Sequence, residues 1–213
     1  LADLLTKLKL DIEDNKLSKR VLNDFTEHSE QGLNLVLNNL ERASELVSSY
    51  KQVAADQISE KIRQVNLAKY IDEIIHSLQP KLKKTNHSIK VDCPNDAEIY
   101  CHAGAISQIF TNLIINSVIH GFKDINNGEI TILVKINGEQ VHIIYQDNGH
   151  GVSDEQLIHL FDPFYTTAGN RGGTGLGTHI VHNLVHDTLN GSVSASSTLE
   201  KGLTYDIKFD NLR

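Results

Sequence analysis

The chain has 213 residues, 39% of them hydrophobic and 22% charged, so it can bury a proper core and does not read as a disordered chain. A formal net charge of -7 opposes non-specific binding to nucleic acid or to an anionic membrane surface. No apolar run is long enough to span a bilayer, and no basic, apolar, small-residue pattern of a signal peptide opens the sequence.

Cys93 and Cys101 are the two cysteines and show neither metal-binding nor redox spacing, which fits a reducing cytoplasm. A start at Leu1 and the lack of any methionine read as a piece of a larger protein, whose anchoring in an inner membrane is left open.

In chain order, Leu1, Leu4, Leu5 and Leu8 predict a short amphipathic helix, and Asp14-Asn15 a turn after it. From about Leu17 to Gln57 there is no proline. Apolar residues at Leu33, Val36, Leu37, Leu40, Ala43, Leu46, Val47, Tyr50, Val53 and Ala54 keep the three-four spacing of a long helix. A helix of that length cannot bury its stripe alone, so a partner helix from this chain or a second copy is expected. Residues 1–60 thus read as a lopsided helical hairpin, and residues 61–213 as a separate mixed domain.

That second region predicts a helix over 67–82, a strand over 89–92 and a helix over 103–120. Next comes an antiparallel pair over 130–136 and 141–145, joined at Asn137-Gly138. A glycine-rich loop over 148–173, a helix over 174–189 and strands over 192–196 and 204–209 complete the chain. The fold class is α+β: a helical hairpin followed by an α/β sandwich whose mixed sheet is covered on one face by helices.

Three polar constellations carry chemistry. Asn112 and Asn116 are four apart, so on a helix both amides share one face with Gln108 and His120. An amide oxygen can ligate magnesium, although two amides at this spacing also suit a merely solvated face. Asp147-Asn-Gly149-His-Gly151 ends a predicted strand, where a carboxylate can accept from an exocyclic amine and glycines admit a ligand, or simply form a tight turn. Gly172-Gly-Thr-Gly175-Leu-Gly177 precedes a helix, where backbone N–H groups and the helix dipole favour phosphate. It lacks the spacing of a dinucleotide fingerprint and the lysine of a P-loop.

Taken together and in this order, the elements resemble the ATP-binding domain shared by histidine kinases, gyrase, Hsp90 and MutL, the GHKL type. The match is to sensor histidine kinases: Asn112-Leu-Ile-Ile-Asn116-Ser is similar to their N box, Phe161-Asp-Pro-Phe-Tyr-Thr-Thr167 to their F box and Gly173-Thr-Gly-Leu-Gly177 to their second glycine box. This likeness spans about residues 67–209. Upstream, Glu41 to Gln57 resembles the end of the second dimerisation helix in one subgroup.

The resemblance implies ATP and magnesium as cofactors. Asn116 would hold the metal against the phosphates, Asp147 would bind the adenine amine with Gly149 and Gly151 shaping the pocket, and His120 would sit beside the nucleotide. Gly173, Thr174, Gly175, Leu176 and Gly177 would admit the phosphates, with Phe161 and Phe164 anchoring the lid, Arg171 its nearby cation, and Thr204 supporting Asp147 through a water. Asn112 takes the catalytic place where ATP-hydrolysing relatives often carry a glutamate base, and an amide cannot accept a proton from water.

It also implies a homodimer through the N-terminal helices, pairing as a four-helix bundle, and a response regulator receiver domain as partner. The family's acceptor motif, a histidine with an acidic residue and a nearby proline, is absent, because proline occurs only at 80, 94 and 163. His28 reads as a surface histidine, and the acceptor is expected just before Leu1. His179, His182 and His186 read as packed or solvated rather than as metal ligands. Two rivals stand beside a kinase: a dimerising scaffold with a degenerate nucleotide site, and an ATPase driving conformational work.

Overall fold

The computed structural model describes residues 2–14, 16, 18–59, 62–83, 85–166 and 174–212, and leaves the side chains of 2, 3, 38 and 41–59 undescribed. It divides into two compact units, Leu1–Ser49 and Tyr50–Arg213.

The first unit carries helix α1, Ala2–Glu13, and most of helix α2, Lys19–Ser59. Partly buried residues recur at three-four spacing on both: Leu4, Leu8 and Asp11 on α1, and Val21, Phe25, Ser29 and Gly32 on α2. Leu33, Val36, Leu37 and Leu40 of the predicted stripe are exposed, between 47% and 62%. The rest of that stripe, from Ala43 to Ala54, is helical, but its side chains lie outside the described ones. No described helix is long and apolar enough to cross a membrane.

The second unit is a helix-on-sheet sandwich. Strand β1, Arg63–Asn66, leads into α3, Leu67–Ser77, and the Asn66 side chain caps that helix by accepting from the Lys69 N–H at 3.0 Å. The helix expected over 67–82 breaks at Leu78, and α4, Gln79–Leu82, restarts with Pro80 in its first turn, where a missing N–H costs little. Next come β2, Ser88–Asp92, β3, Glu98–Cys101, and α5, Ala103–Asn116, which continues as a wider π-helical turn, Ser117–Gly121.

Strands β4, Glu129–Asn137, and β5, Gln140–Asp147, form the expected hairpin. Its two-residue turn is Gly138-Glu139, one residue later than the Asn137-Gly138 reading, with Gly138 at φ +63° as the first residue of a type II′ turn requires. A short helix α6, Asp154–Ile158, starts with a reciprocal Ser153–Gln156 capping box. Helix α7, Gly177–Asn183, begins three residues after the predicted start and widens into a second π-helical turn, Leu184–Thr188. Strands β6, Ser192–Thr198, and β7, Gly202–Asp210, follow.

The main sheet is mixed, in the order β2-β4-β5-β7-β6, with β2 parallel to β4 and every other pair antiparallel; β1 and β3 form a separate antiparallel pair. Alternate residues of the central strands, Ile130, Ile132 and Val134, Val141, Ile143 and Tyr145, Tyr205, Ile207 and Phe209, are buried. They share one core with Ile71, Ile106, Phe110, Leu113 and Val181 from the helices. Burying each large apolar side chain of this kind is worth about 1.5–3 kcal/mol. Asp147, the last residue of β5, therefore arrives on the covered face of the sheet, below α5 and its π-turn.

Candidate functional site

Asp147 is only 3% exposed, and a buried carboxylate has to be met by donors. Three meet it: Oδ1 accepts from the N–H groups of Gly149 at 3.0 Å and Leu203 at 3.3 Å, and Oδ2 accepts from the Ser117 hydroxyl at 2.7 Å. The π-turn is what brings Ser117 and Gly121 over the carboxylate; a Cβ built on Gly121 would stand 3.4 Å from Oδ2. Tyr145, fully buried two residues earlier on the strand, lies with its hydroxyl 2.9 Å from Ser117 Oγ. Burial first, and the Asp147 charge after it, push the Tyr145 phenol well above its ordinary range against the opposing pull of the Ser117 hydrogen bond, so Tyr145 stays neutral.

The glycines beside Asp147 are there for space. A Cβ on Gly149 would run into the carbonyl of Gly121, and one on Gly202 would run into the carbonyl of Asp147 itself. Gly151 adopts φ +65° while its backbone presses against Ser197 and Thr198. His150 between them joins three segments: its N–H donates to Gly121 O, its carbonyl accepts from Glu200 N, and its ring meets Lys123 O and the Glu200 carboxylate.

On α5, Asn112 and Asn116 are half-buried, and the Asn112 Nδ2 is buried without a hydrogen-bond partner. Asn116 lies against the start of α7, since a Cβ on Gly177 would come within 3.1 Å of its Nδ2 and 3.2 Å of its Oδ1. The asparagine face and the glycine-rich helix start, more than fifty residues apart in sequence, are thereby brought together. His120, half-buried in the π-turn, is held below the usual histidine value by burial.

At the loop before α7, Thr174 Oγ1 accepts from the Leu176 N–H at 3.4 Å. Gly175 sits at φ +66° against the backbone of Phe164 and Tyr165, so the F box and the second glycine box touch. Phe161 is packed against the core and its ring meets His182 at 5.4 Å and Tyr205 at 6.3 Å. Phe164 differs from expectation: at 67% exposure its ring packs poorly, and its contribution is its backbone, at φ +65°. Arg171, Gly173 and the threonine at 167 lie outside the described residues.

Thr204 is corrected. It pairs with exposed Gln146 across the β5–β7 ladder, so by the two-residue pleat it shares the face opposite Tyr145 and Asp147. The residue that reaches the carboxylate is Leu203, through its N–H. Ser117, Tyr145, Gly121, Leu203 and Gly202 were missed by sequence reasoning. Ser117 stood in the quoted N box, yet only the π-turn aims it at a strand thirty residues away.

Of the three histidines on the last helix, His179 and His182 are half-buried and His186 is exposed: His179 meets Phe161 O at 3.0 Å and Asn183 at 3.2 Å, while His182 meets the Phe161 ring at a tilt and stacks on His186. His28 is an exposed residue of α2, its ring 2.6 Å from Asp24 O.

Residues 101–213, over half of the sequence, match the family described as histidine kinase-, DNA gyrase B-, and HSP90-like ATPase. The chain belongs to this family. Within it the relatives are histidine kinases. Sporulation kinase B of Bacillus subtilis (strain 168) is 32% identical over 177 residues, 82% of this chain and 39% of that protein. The chain thus spans about two fifths of that relative's length.

Two solved structures share the fold. Full-length ShkA in complex with AMPPNP aligns with a TM-score of 0.61 at 22% identity, covering 93% of this chain and 41% of that one. Histidine kinase ThkA in complex with the response regulator protein TrrA aligns at 0.57 and 19%, covering 99% and 58%. The second unit is a histidine kinase catalytic ATPase domain, and the residues gathered around Asp147 and Asn116 are its candidate nucleotide site.

Proposed function

We propose that residues 61–213 bind ATP with magnesium and transfer its γ-phosphate to a histidine of the intact kinase, from which it passes to an aspartate of a response regulator receiver domain. The observation that carries this reading is the convergence of a buried, donor-pinned Asp147 with an Asn116 amide against the α7 start. Asp147 recognises the adenine amine, and Gly149 and Gly151 leave room for the ring. His120, kept toward its neutral form by burial, borders the pocket.

The asparagine pair fits magnesium: Asn116 offers a neutral oxygen, and the buried Asn112 Nδ2 is a donor still lacking a partner, suited to a phosphate oxygen. Magnesium there would neutralise charge on the phosphates. Gly175 and Gly177 let the phosphate chain approach α7, Phe161 fixes the root of the loop, Thr174 and Leu176 border it, and Arg171 is the cation proposed for the phosphates. Asn112 cannot accept a proton from water, so water is not activated and the γ-phosphate is kept for a histidine nucleophile.

The exposed Leu33, Val36, Leu37 and Leu40 support a homodimer through α2 and also favour the rival of a dimerising scaffold. We place the domain in the cytoplasm, where ATP and receiver domains meet it. The test is incubation of the whole kinase polypeptide, acceptor histidine included, with γ-labelled ATP. Alkali-stable, acid-labile label that is lost in Asn116→Ala and Asp147→Asn is the expected result. ATP binding without any label would favour the scaffold, and steady phosphate release would favour an ATPase.

A further inference from the structure

The hydrogen bonds around Asp147 have only one consistent direction. An ionised carboxylate only accepts, so the single hydroxyl hydrogen of Ser117 is committed to Asp147 Oδ2 at 2.7 Å. Ser117 Oγ can then only accept from Tyr145, and the 2.9 Å contact between the two hydroxyls is a Tyr145 O–H donating to Ser117. The relay runs one way, from Tyr145 through Ser117 to Asp147, in a region where both hydroxyl residues are almost fully buried.

A carboxylate has about four lone-pair sites. Gly149 and Leu203 occupy two on Oδ1 and Ser117 one on Oδ2, leaving a single site on Oδ2 among the described residues.

We propose that Ser117 and Tyr145 are positioning residues for base selection, pinning Asp147 so that it presents one acceptor site that suits a 6-amino purine and repels a 6-oxo purine. This rests on the nucleotide reading given above and extends it to two residues outside the binding surface. The 6-amino group donates into the vacant site. A 6-oxo group brings its own lone pairs to the same place and gains nothing.

Without the Ser117 hydroxyl, Oδ2 has two vacancies and the carboxylate, held only at Oδ1 by Gly149 and Leu203, can tilt about its Cβ–Cγ bond. The amine then meets a misdirected acceptor, while a 6-oxo base loses little. Truncation of Ser117 should therefore lower selectivity, whereas a general loosening of the fold would weaken both nucleotides alike. Charge-assisted hydrogen bonds are the stronger kind, and Tyr145 acts one bond further from the base, so its effect should be the smaller.

The experiment is titration of the full chain with ATP and with inosine triphosphate, in magnesium, for the parent, Ser117→Ala, Ser117→Thr and Tyr145→Phe. The expected result is an ATP preference reduced about tenfold in Ser117→Ala and roughly two- to threefold in Tyr145→Phe, the effects of one charged and one neutral hydrogen bond, and restored in Ser117→Thr, which keeps the hydroxyl. Tyr145→Phe preserves the ring and guards against a Ser117 variant that fails to fold. An unchanged ratio in Tyr145→Phe and in every folded Ser117 variant, with the parent binding ATP, overturns the relay alone. A parent that binds neither nucleotide overturns the functional reading and the relay with it.

Discussion

The two ends of the proposed nucleotide site are built in opposite ways. At the base end, Asp147 is buried and held by three donors from three separate segments, with glycines giving way around it. At the phosphate end, Asn112 keeps a buried donor without a partner, and Phe164 stands exposed beside Gly175. The base end is organised before any ligand arrives, so its contribution to affinity carries little ordering cost. The phosphate end holds groups whose natural partners are an anion and its metal, and its order should depend on them.

That contrast can be broken most severely at Asp147. Replacing it by Asn swaps one acceptor oxygen for an amide donor facing N–H or O–H donors, and should weaken ATP about 100-fold, the loss of a charged hydrogen bond plus a donor left unpaired. Magnesium should not rescue that binding in calorimetry, because the defect is at the base.

Asn116→Ala sharpens the other side. It should weaken ATP roughly tenfold when magnesium is present and change little when the metal is chelated, since only the phosphate end is altered. Equal losses with and without magnesium would mean that Asn116 only packs against α7.

Gly149→Ala probes how rigid the base end is. Its Cβ would meet the Gly121 carbonyl, so the two segments must separate, at a cost of about 1–3 kcal/mol. A melting midpoint lowered by roughly 2–4 °C per kcal/mol is expected, and no shift would show that the π-turn yields freely.

The smallest effect concerns His150. Its pairing with Glu200 first, and with the Lys123 carbonyl second, raises its proton affinity above that of an ordinary histidine. A group whose folded value is raised gives stability that is present in full below its unfolded value and is lost as pH rises through its folded value. His150→Gln should therefore lower the melting midpoint slightly near about pH 5.5 and make no difference near about pH 8.5. A constant difference across that range would leave only a packing role.

Most of this arrangement was legible in the sequence where the signal is local. The alternation over 130–136 and 141–145 predicts the central hairpin, and the resemblance of the N, F and glycine boxes singles out Asn116, Phe161 and Gly177, of which Asn116 and Gly177 lie against each other. The strands β1 and β3 were not legible, being four residues each and paired only with each other.

The misses at the site share a physical cause. A 3.6-residue period does not announce a π-turn, yet that extra residue per turn is what sets Ser117 on Asp147. The resemblance implies Thr204 as a support for Asp147 through a water, while the direct contact is made by the backbone of Leu203, and a backbone donor leaves no trace in residue type. The resemblance of the F box implies Phe164 as a lid anchor, whereas its ring is exposed and its positive φ turns the chain so that its backbone meets Gly175.

The central claim, that this chain holds ATP between Asp147 and Asn116, is tested most directly by calorimetric titration of the parent chain with a non-hydrolysable ATP analogue, with and without magnesium. Saturable one-site binding that strengthens with the metal and collapses in Asp147→Asn is the predicted result. No binding by the parent, or binding indifferent to Asp147, would contradict it.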